Sequence, residues 1–223
     1  MHSIVRLIRW RPGVSASELA GFTQILSRAG SGTDTVGQFI GPTLPGVRNG
    51  GDLIWHQVFE DIEDAQSWQR AGAWRDEAEP TLRAHAAHVD STGFDHGPGG
   101  VRRPDLQRGI YRALLFSLSP DATRDQATQL EHDLLAMPRY IDRILNWRLS
   151  RVTPSGGTEG WSYLWEQEFA ELQHLTQDYV WHPYHWGFVD RWFDPEMPCR
   201  IVRSQLCHTF ASIETSLLAP PPR

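Results

Sequence analysis

The sequence predicts an α+β fold in which one chain carries two β-α-β-β-α-β repeats. A stretch rich in glycine, proline and charge at residues 95–104 separates two halves of similar layout. Each half opens on an apolar segment that is soon followed by proline, at residues 4–10 and 110–118, as expected of a buried strand. The closest match joins residues 53–59 and 163–169, where Trp, Gln and Phe recur at the same alternate positions. The repeats are predicted at 1–104 and 105–223.

A helix is predicted after the first strand of each half. In the first half, Ser15 and Glu18 form a capping-box pattern, in which both side chains satisfy backbone N–H groups at a helix start. That helix is expected to end near Ala29. In the second half, Pro120 is expected to open the helix and Pro138 to stop it.

The remaining elements follow in the same order in both halves: a second strand, a glycine-rich hairpin loop, the third strand, an acidic helix start and a last strand. They fall at 36–40, 41–51, 53–59, 61–68 and 89–94 in the first half, and at 144–152, 153–160, 163–169, 171–179 and 201–208 in the second. This order is ferredoxin-like, with helices on one face of each sheet only. We therefore expect the two repeats to pack sheet to sheet within the chain.

The composition excludes several classes of protein. The chain has 223 residues, 40% of them hydrophobic, and a formal net charge of −6. This argues against a disordered chain and against a nucleic-acid binder, which needs a basic surface. No apolar run approaches the ~20 residues that span a bilayer, and the arginine-containing start does not resemble a signal peptide. Cys199 and Cys207 cannot form a disulfide framework, so we predict a cytoplasmic protein that binds neither nucleic acid nor membrane.

Tyr179, His182 and His185 are the predicted catalytic residues. Histidine titrates near neutrality and can accept a proton, and a phenol can donate one to a developing enolate or alkoxide. Pro183, between the histidines, is expected to turn the chain where a helix ends. Two interpretations stay open: acid–base catalysis, or a helix stop in which His182 caps backbone carbonyls and His185 makes a core hydrogen bond.

A second group of residues is predicted to bind substrate. Alternate positions on the third strand form an aromatic and polar face, which is either a packed core or the wall of a pocket. Arg112 lies on the first strand of the second half and needs a partner if it is buried, either Glu166 or Glu168 or an anionic group of a substrate. The predicted substrate-binding residues are Arg112, Trp147, Tyr163, Trp165, Gln167, Trp181 and Trp186.

No metal and no cofactor are predicted. His182 and His185 alone do not complete a zinc site, which usually needs three or four ligands, and Asp190 and His208 would have to converge on them by folding. The sequence has no P-loop, no G-x-G-x-x-G after a strand and no G-x-S-x-G element. These absences from the sequence argue against most nucleotide-dependent enzymes and serine hydrolases.

The second half resembles a known family. The segments that carry the resemblance are 165–172, 178–185 with its His-Pro-Tyr-His element, and 189–195. They look like the stress-responsive A/B barrel (Dabb) domain, over about residues 108–210. The first half matches in layout and in its third strand, but residues 71–74 read Ala-Gly-Ala-Trp. The first repeat is therefore expected to keep the fold with its site lost or altered.

The resemblance implies a dimeric α+β barrel, here formed within one chain. The family includes plant stress proteins without established catalysis and polyketide cyclases of the olivetolic acid cyclase type. In that cyclase a tyrosine and the second histidine of the His-Pro-x-His element form the acid–base pair, and these positions correspond to Tyr179 and His185 here. Two further pocket histidines of the cyclase fall near Arg112 and Tyr163, so they are replaced in this chain.

We therefore expect a protein that binds a small apolar or aromatic, oxygenated metabolite and acts as a cofactor-independent lyase, cyclase or isomerase. The chemistry would be aldol-type cyclisation, retro-aldol cleavage or isomerisation, with His185 as the base, Tyr179 as the proton donor and His182 as the orienter or second donor. Two alternatives stay open: a non-catalytic ligand-binding or stress-response module, and a haem- or oxygen-using barrel. The expected assembly is a monomer with an internal pseudo-dimer, or a homodimer.

Overall fold

A computed structural model describes residues 1–32, 34–152 and 160–219. The chain divides into two compact units, one built on Met1–His96 and the other on Gly97–Arg151 and residues 161–219. The predicted α+β fold class is confirmed, because each unit is an antiparallel sheet with helices in the ferredoxin-like order. All but the last residue of the loop predicted at 153–160 lies outside the described residues.

The first unit is a four-stranded antiparallel sheet with three α-helices. Its elements are β1 (His2–Trp10), α1 (Ala16–Gly30), β2 (Gly37–Pro42), β3 (Leu53–Phe59), α2 (Ile62–Arg70), a π-helical turn (Ala73–Ala78), α3 (Glu79–His85) and β4 (Ala86–Asp95). The strands lie side by side in the order β2-β3-β1-β4. The predicted capping box is present, since Ser15 accepts from the backbone N–H of Glu18 and the Glu18 carboxylate accepts from that of Ser15.

The second unit repeats this plan with one added strand. Its elements are β5 (Gly99–Val101), β6 (Gln107–Leu118), α4 (Arg124–Tyr140), β7 (Asn146–Arg151), β8 (Tyr163–Phe169), two π-helical segments (His174–Tyr179 and His185–Val189), a 3₁₀ turn (Asp190–Trp192) and β9 (Val202–Thr215). The strand order is β5-β7-β8-β6-β9. None of the helices in the described part of the chain is long and apolar enough to cross a membrane.

The bounds of α4 differ from the prediction. The helix begins after Thr123, whose hydroxyl caps its first turn, and not at Pro120. It also passes through Pro138, which was expected to stop it. Proline removes one backbone donor, and near the end of a helix this loss is small compared with a proline in its middle. Arg102 donates to the carbonyl of Pro138 and so satisfies an acceptor of this last turn.

The predicted linker at 95–104 contains β5, which pairs with β7 in the second sheet. A Cβ at Gly97 would collide with the carbonyl oxygen of Leu149, so only glycine lets the two backbones approach this closely. Glycines that suggest a flexible boundary in the sequence thus serve a strand contact. The division between the two units falls just before Gly97.

The two faces of the second sheet carry different side chains, because neighbours along a strand point to opposite faces. One face lies under α4 and the π-helical segments and carries Arg112 of β6 opposite Gln167 of β8. On the other face, Glu166 accepts hydrogen bonds from the Tyr111 hydroxyl and from Arg148 Nε, both at 2.7 Å. The buried charge of Glu166 is therefore paired on the face away from α4.

Asp133 of α4 fixes the segment that follows the π-helical turns. Its carboxylate accepts from Trp192 Nε1 at 2.8 Å and from Arg191 Nη2 at 2.7 Å, and its backbone carbonyl accepts from the Tyr184 hydroxyl at 3.2 Å. Burial raises the pKa of the Asp133 carboxyl, but the hydrogen bonds from Trp192 and Arg191 outweigh burial and hold the pKa below its ordinary value. The segment His185–Val189 is thereby held against α4 at both ends.

We predict that Asp133→Asn lowers the free energy of unfolding by about 1.5–3 kcal/mol, the usual range for hydrogen bonds to a charged group. The amide keeps the shape but loses the charge that two donors share. Urea unfolding measures the change. The control is Asp142→Asn, since the Asp142 side chain is 93% exposed and its removal should change stability by less than about 0.5 kcal/mol. Equal effects of the two substitutions would contradict the anchoring role of Asp133.

Candidate active site

Six side chains from five elements of the second unit meet on the helix-covered face of its sheet. We call them the Arg112 cluster: Arg112 of β6, Trp165 and Gln167 of β8, Tyr179 and His185 of the two π-helical segments, and His208 of β9. Five of the six are sequence-predicted site residues. The strand register explains part of the convergence, because Arg112 lies opposite Gln167 on one side and Phe210 on the other.

Arg112 is at the centre of this cluster and is only 4% exposed. Its Nε donates to His208 Nε2 at 2.8 Å, and its Nη1 donates to Gln167 Oε1 at 2.5 Å. The guanidinium carbon lies 5.1 Å from the ring centroid of Tyr179, within cation–π distance. Burial lowers the pKa of Arg112, although its ordinary value is so high that the group stays charged.

The carboxylates expected to pair with Arg112 are engaged elsewhere. Glu166 binds Arg148 on the opposite face of the sheet. Glu168 accepts from Asn146 Nδ2 at 2.6 Å and from the backbone N–H of Leu217 at 2.6 Å. The structural alternative offered by the sequence, an ion pair of Arg112 with either glutamate, is therefore wrong, because both side chains alternate to the other face.

Tyr179 and His185 touch each other beside Arg112. Their ring centroids are 4.5 Å apart in an edge-to-face arrangement. Burial raises the pKa of the Tyr179 hydroxyl, opposed by the charge of Arg112, so the phenol is protonated at neutral pH. His185 Nδ1 is 3.4 Å from Asp190 Oδ2, a distance for an ion pair without hydrogen-bond alignment. The protonated phenol of Tyr179 thus contacts the imidazole of His185, and the Asp190 carboxylate lies on the Nδ1 side of that imidazole.

His208 is the cluster member that the sequence analysis did not assign to the site. Because its Nε2 accepts from Arg112, its proton must be on Nδ1 and the ring must be neutral. Burial, together with the charges of Arg112 and His185, lowers the pKa of His208 to about 3. A signal existed in the sequence, since the last strand of a ferredoxin-like repeat pairs with the first, which carries Arg112.

Two buried donors of the cluster have no aligned acceptor among the described residues. These are Gln167 Nε2 and Trp165 Nε1. The indole of Trp165 is near enough to Tyr179 to lower the pKa of its hydroxyl but is not in hydrogen-bond geometry. Buried polar groups are nearly always satisfied by protein, water or ligand. The donors therefore mark a place where an oxygen atom of another molecule would be favoured.

Two predicted substrate-binding residues are held away from the cluster. Tyr163 donates to Glu131 Oε1 at 2.5 Å, at the opposite end of β8 from Gln167. The ring of Trp147 lies under the guanidinium of Arg102 at 5.3 Å. Both contacts are long-range in sequence, which is why strand alternation alone could not separate these residues from Trp165 and Gln167.

The remaining predicted residues lie on the outer side of the segment that carries His185. Trp181 is 75% exposed and Trp186 is 59% exposed, so neither forms a wall of the cluster. His182 accepts from the backbone N–H of Tyr184 at 3.1 Å, which makes it an N-terminal cap and not a cap of carbonyls. Pro183 correspondingly begins a helical turn, where its missing N–H is harmless, and does not end one.

The first unit buries an arginine of its own, Arg6, whose Nη1 donates to Gln57 Oε1 at 2.6 Å. Its guanidinium carbon lies 5.0, 5.3 and 4.4 Å from the rings of Trp55, Trp68 and Trp74. Burial lowers the pKa of Arg6 to about 9.

When the two halves of the sequence are aligned, indoles of the first unit fall at the positions of the predicted acid–base residues of the second. Trp68 corresponds to Tyr179, and Trp74 corresponds to His185. An indole neither accepts a proton nor releases one near neutral pH. The first unit keeps a buried arginine and its glutamine but has no proton-transfer group at these two positions.

Among residues 1–32, 34–152 and 160–219, there is no group of three or more His, Cys, Asp or Glu side chains that could hold a metal ion.

The two units also differ in their match to a known protein family. Residues 110–203 match the family model of the stress responsive A/B barrel domain, Dabb. The Dabb match spans less than half of the chain and lies within the second unit. It includes every member of the Arg112 cluster except His208. No curated protein sequence matches the chain.

Solved structures match over nearly the whole chain. An anthrone oxidase-like protein is similar with a TM-score of 0.66 and 10% identity, over 96% of this chain and 92% of that one. A candidate monooxygenase from Fusobacterium nucleatum subsp. nucleatum gives 0.61 and 8% identity, over 96% and 95%. Another, from Lactobacillus acidophilus NCFM, gives 0.56 and 8% identity, over 96% and 98%. At such identities the likeness concerns the fold alone.

We predict that His208→Gln flattens the loss of stability on acidification. The folded pKa of His208, about 3, lies below its ordinary value of 6.5, so the unfolded chain binds a proton that the folded chain does not. The contribution is complete above about pH 6.5 and is lost as pH falls toward 3, by up to about 1.4 kcal/mol per pH unit. Glutamine keeps an acceptor for Arg112 and does not titrate. Parallel curves of unfolding free energy against pH for parent and variant, from pH 7 to 4, would contradict this.

Proposed function

We propose that the second unit binds a small aromatic, oxygenated metabolite over the Arg112 cluster and transfers a proton without a cofactor. The observation that carries the proposal is the contact of Tyr179 with His185 next to buried donors that have no acceptor among the described residues. Aldol-type cyclisation, retro-aldol cleavage and isomerisation all pass through an enolate or alkoxide. Each therefore needs one group that moves a proton and donors that hold the developing charge on oxygen.

His185 is the proposed base. Asp190 lies on the Nδ1 side of its ring at 3.4 Å, which favours a proton on Nδ1 and leaves Nε2 to accept one. The base takes a proton from a carbon that a carbonyl group activates, either directly or through a conjugated ring, and the electron pair of that C–H bond is delocalised onto the carbonyl oxygen. His182 serves as a positioning residue, since its cap on Tyr184 orients the turn that presents His185.

Tyr179 is the proposed donor to the oxygen. Its burial and raised pKa keep the phenol protonated, so it can donate a hydrogen bond to an enolate oxygen as charge develops there. The free donor of Gln167 and the indole of Trp165 support the same oxygen or a second one. The ring of Trp165, which is fully buried, offers an apolar wall for an aromatic ligand.

The name of one structurally similar protein, anthrone oxidase-like, suggests a probe for this proposal. Anthrone is a tricyclic aromatic ketone whose ring methylene loses a proton to give an aromatic enolate. Its oxidation and its enolisation share that first proton transfer, so the probe tests the step and not a particular product. Exchange of the methylene protons for deuterium under nitrogen isolates proton transfer from any reaction with oxygen.

We predict that the protein accelerates deuterium incorporation into anthrone in D₂O, followed by NMR. His185→Ala should lower the rate by about 10²–10⁴, the usual contribution of a positioned proton-transfer group. Tyr179→Phe should lower it less, because the ring packing is kept.

The matched controls are His132→Ala and Tyr140→Phe, both at exposed side chains outside the cluster, and both should exchange at the parent rate. A parent that binds anthrone without accelerating exchange would leave the non-catalytic binding module as the function. Oxygen consumption in air, with exchange lost in His185→Ala, would place the proton transfer at the head of an oxygen-using reaction.

A further inference from the structure

We infer that the ligand of the Arg112 cluster carries a permanent anionic oxygen group of the carboxylate type, and that Gln167 and His208 select it by holding Arg112 without neutralising its charge. This inference rests on the proposed binding function of the second unit and adds the chemical class of the ligand. It is independent of whether a proton is transferred.

The hydrogen bonds of Arg112 leave part of its guanidinium available. Nε is taken by His208 at 2.8 Å and one N–H of Nη1 by Gln167 at 2.5 Å. A guanidinium has five N–H donors. Three of them are not used by these two acceptors, and the Tyr179 hydroxyl is within reach of one of the three. The donors that remain on Nη1 and Nη2 can bind the oxygens of a carboxylate.

The acceptors that hold Arg112 are both uncharged. Gln167 is a neutral amide, and His208 is neutral because it accepts at Nε2. Among the residues that the structure describes, no carboxylate lies within ion-pair distance of Arg112; the one that acts on it from farther away is Asp190, which is half-exposed. The positive charge is thus positioned but not compensated.

The second unit pairs its other buried arginine. Arg148, which is 7% exposed, lies 2.7 Å from a carboxylate oxygen of Glu166. Burying a cation without a counter-charge is costly, and the neighbouring strand β8 offers two glutamates that both point away from Arg112. Arg112 therefore differs from Arg148 of the same sheet, which is paired with a carboxylate.

The first unit shows how an arginine in a similar setting is satisfied internally. Arg6 also donates to a glutamine, Gln57, but three indole rings lie within 5.3 Å of its guanidinium. In the described part of the second unit one aromatic ring, that of Tyr179, faces Arg112. Cation–π contacts replace part of the lost hydration of Arg6, whereas Arg112 keeps N–H donors that the described residues do not take up.

The Gln167 amide adds a second reason for an anionic ligand. Its oxygen is used by Arg112, and its Nε2 is buried without an acceptor among the described residues. A carboxylate bound by Arg112 would supply an anionic acceptor next to this amide. A glutamate at this position would remove both features, since it would neutralise Arg112 and lose the donor.

The test compares benzoate with benzamide, which share a shape and differ in charge, by isothermal titration calorimetry on the full chain. The parent should bind benzoate at least about tenfold more tightly than benzamide, equivalent to about 1.4 kcal/mol. Gln167→Glu should remove this preference, lowering benzoate affinity at least about tenfold while benzamide affinity stays within about threefold. Its melting temperature should not fall, because the new carboxylate pairs with Arg112.

Substitutions at position 208, where the side chain is half-buried, provide a second test. His208→Gln retains a neutral acceptor and should keep the benzoate preference, whereas His208→Glu should abolish it. The matched control is Gln57→Glu in the first unit, beneath Arg6, which should leave benzoate binding unchanged. A merely structural role of Gln167 or His208 would weaken both probes together, so the ratio of the two affinities is the deciding measurement.

Equal affinity of the parent for benzoate and benzamide would overturn the inference, whatever the result with anthrone. So would a Gln167→Glu or His208→Glu variant that folds and keeps the benzoate preference. Absence of deuterium exchange with an intact benzoate preference would instead remove the proposed chemistry and leave the anion site in place. The two proposals therefore fail through different measurements.

Discussion

A buried guanidinium that no carboxylate of the described residues pairs with is the constraint around which the second unit is organised. Arg112 lies under the helices of its sheet, where an isolated charge is unfavourable. Its guanidinium donates to two neutral acceptors, Gln167 and His208, and lies beside the aromatic face of Tyr179. Each of these contacts satisfies a donor or a surface of the guanidinium but leaves its charge in place. The polarity of the site follows from that arrangement, and so does the neutral state of His208.

The same scaffold in the first unit leads to a different result because two positions differ in chemistry. Trp68 and Trp74 surround Arg6 with apolar rings where the second unit has groups that can donate or accept protons. Indoles stabilise the cation by their quadrupoles. The first unit thereby has a closed, aromatic environment for its arginine. A ferredoxin-like unit can thus keep a buried arginine and its glutamine while the side chains around them differ, without a change of fold.

The groups proposed for chemistry are on short helical segments and not on the sheet. Such segments are held by few contacts of their own, so their position depends on anchors from elsewhere. Asp133 supplies one anchor through Trp192 and Arg191, and His182 supplies another by capping the turn before His185. Cross-strand pairing places the arginine opposite the glutamine, and the anchored turns bring the imidazole against Tyr179.

The sequence by itself determined the α+β fold class, the strand positions and the face of β8 that Trp165 and Gln167 share. These features depend on local periodicity and on turn residues, which are visible along the chain. It also pointed to Arg112 and to the Tyr179–His185 pair. Only the tertiary structure decided which charges pair, that His208 joins the site and which tryptophans lie outside it, because those outcomes depend on cross-strand register and on helix orientation. Both are set by contacts between residues that are far apart in sequence.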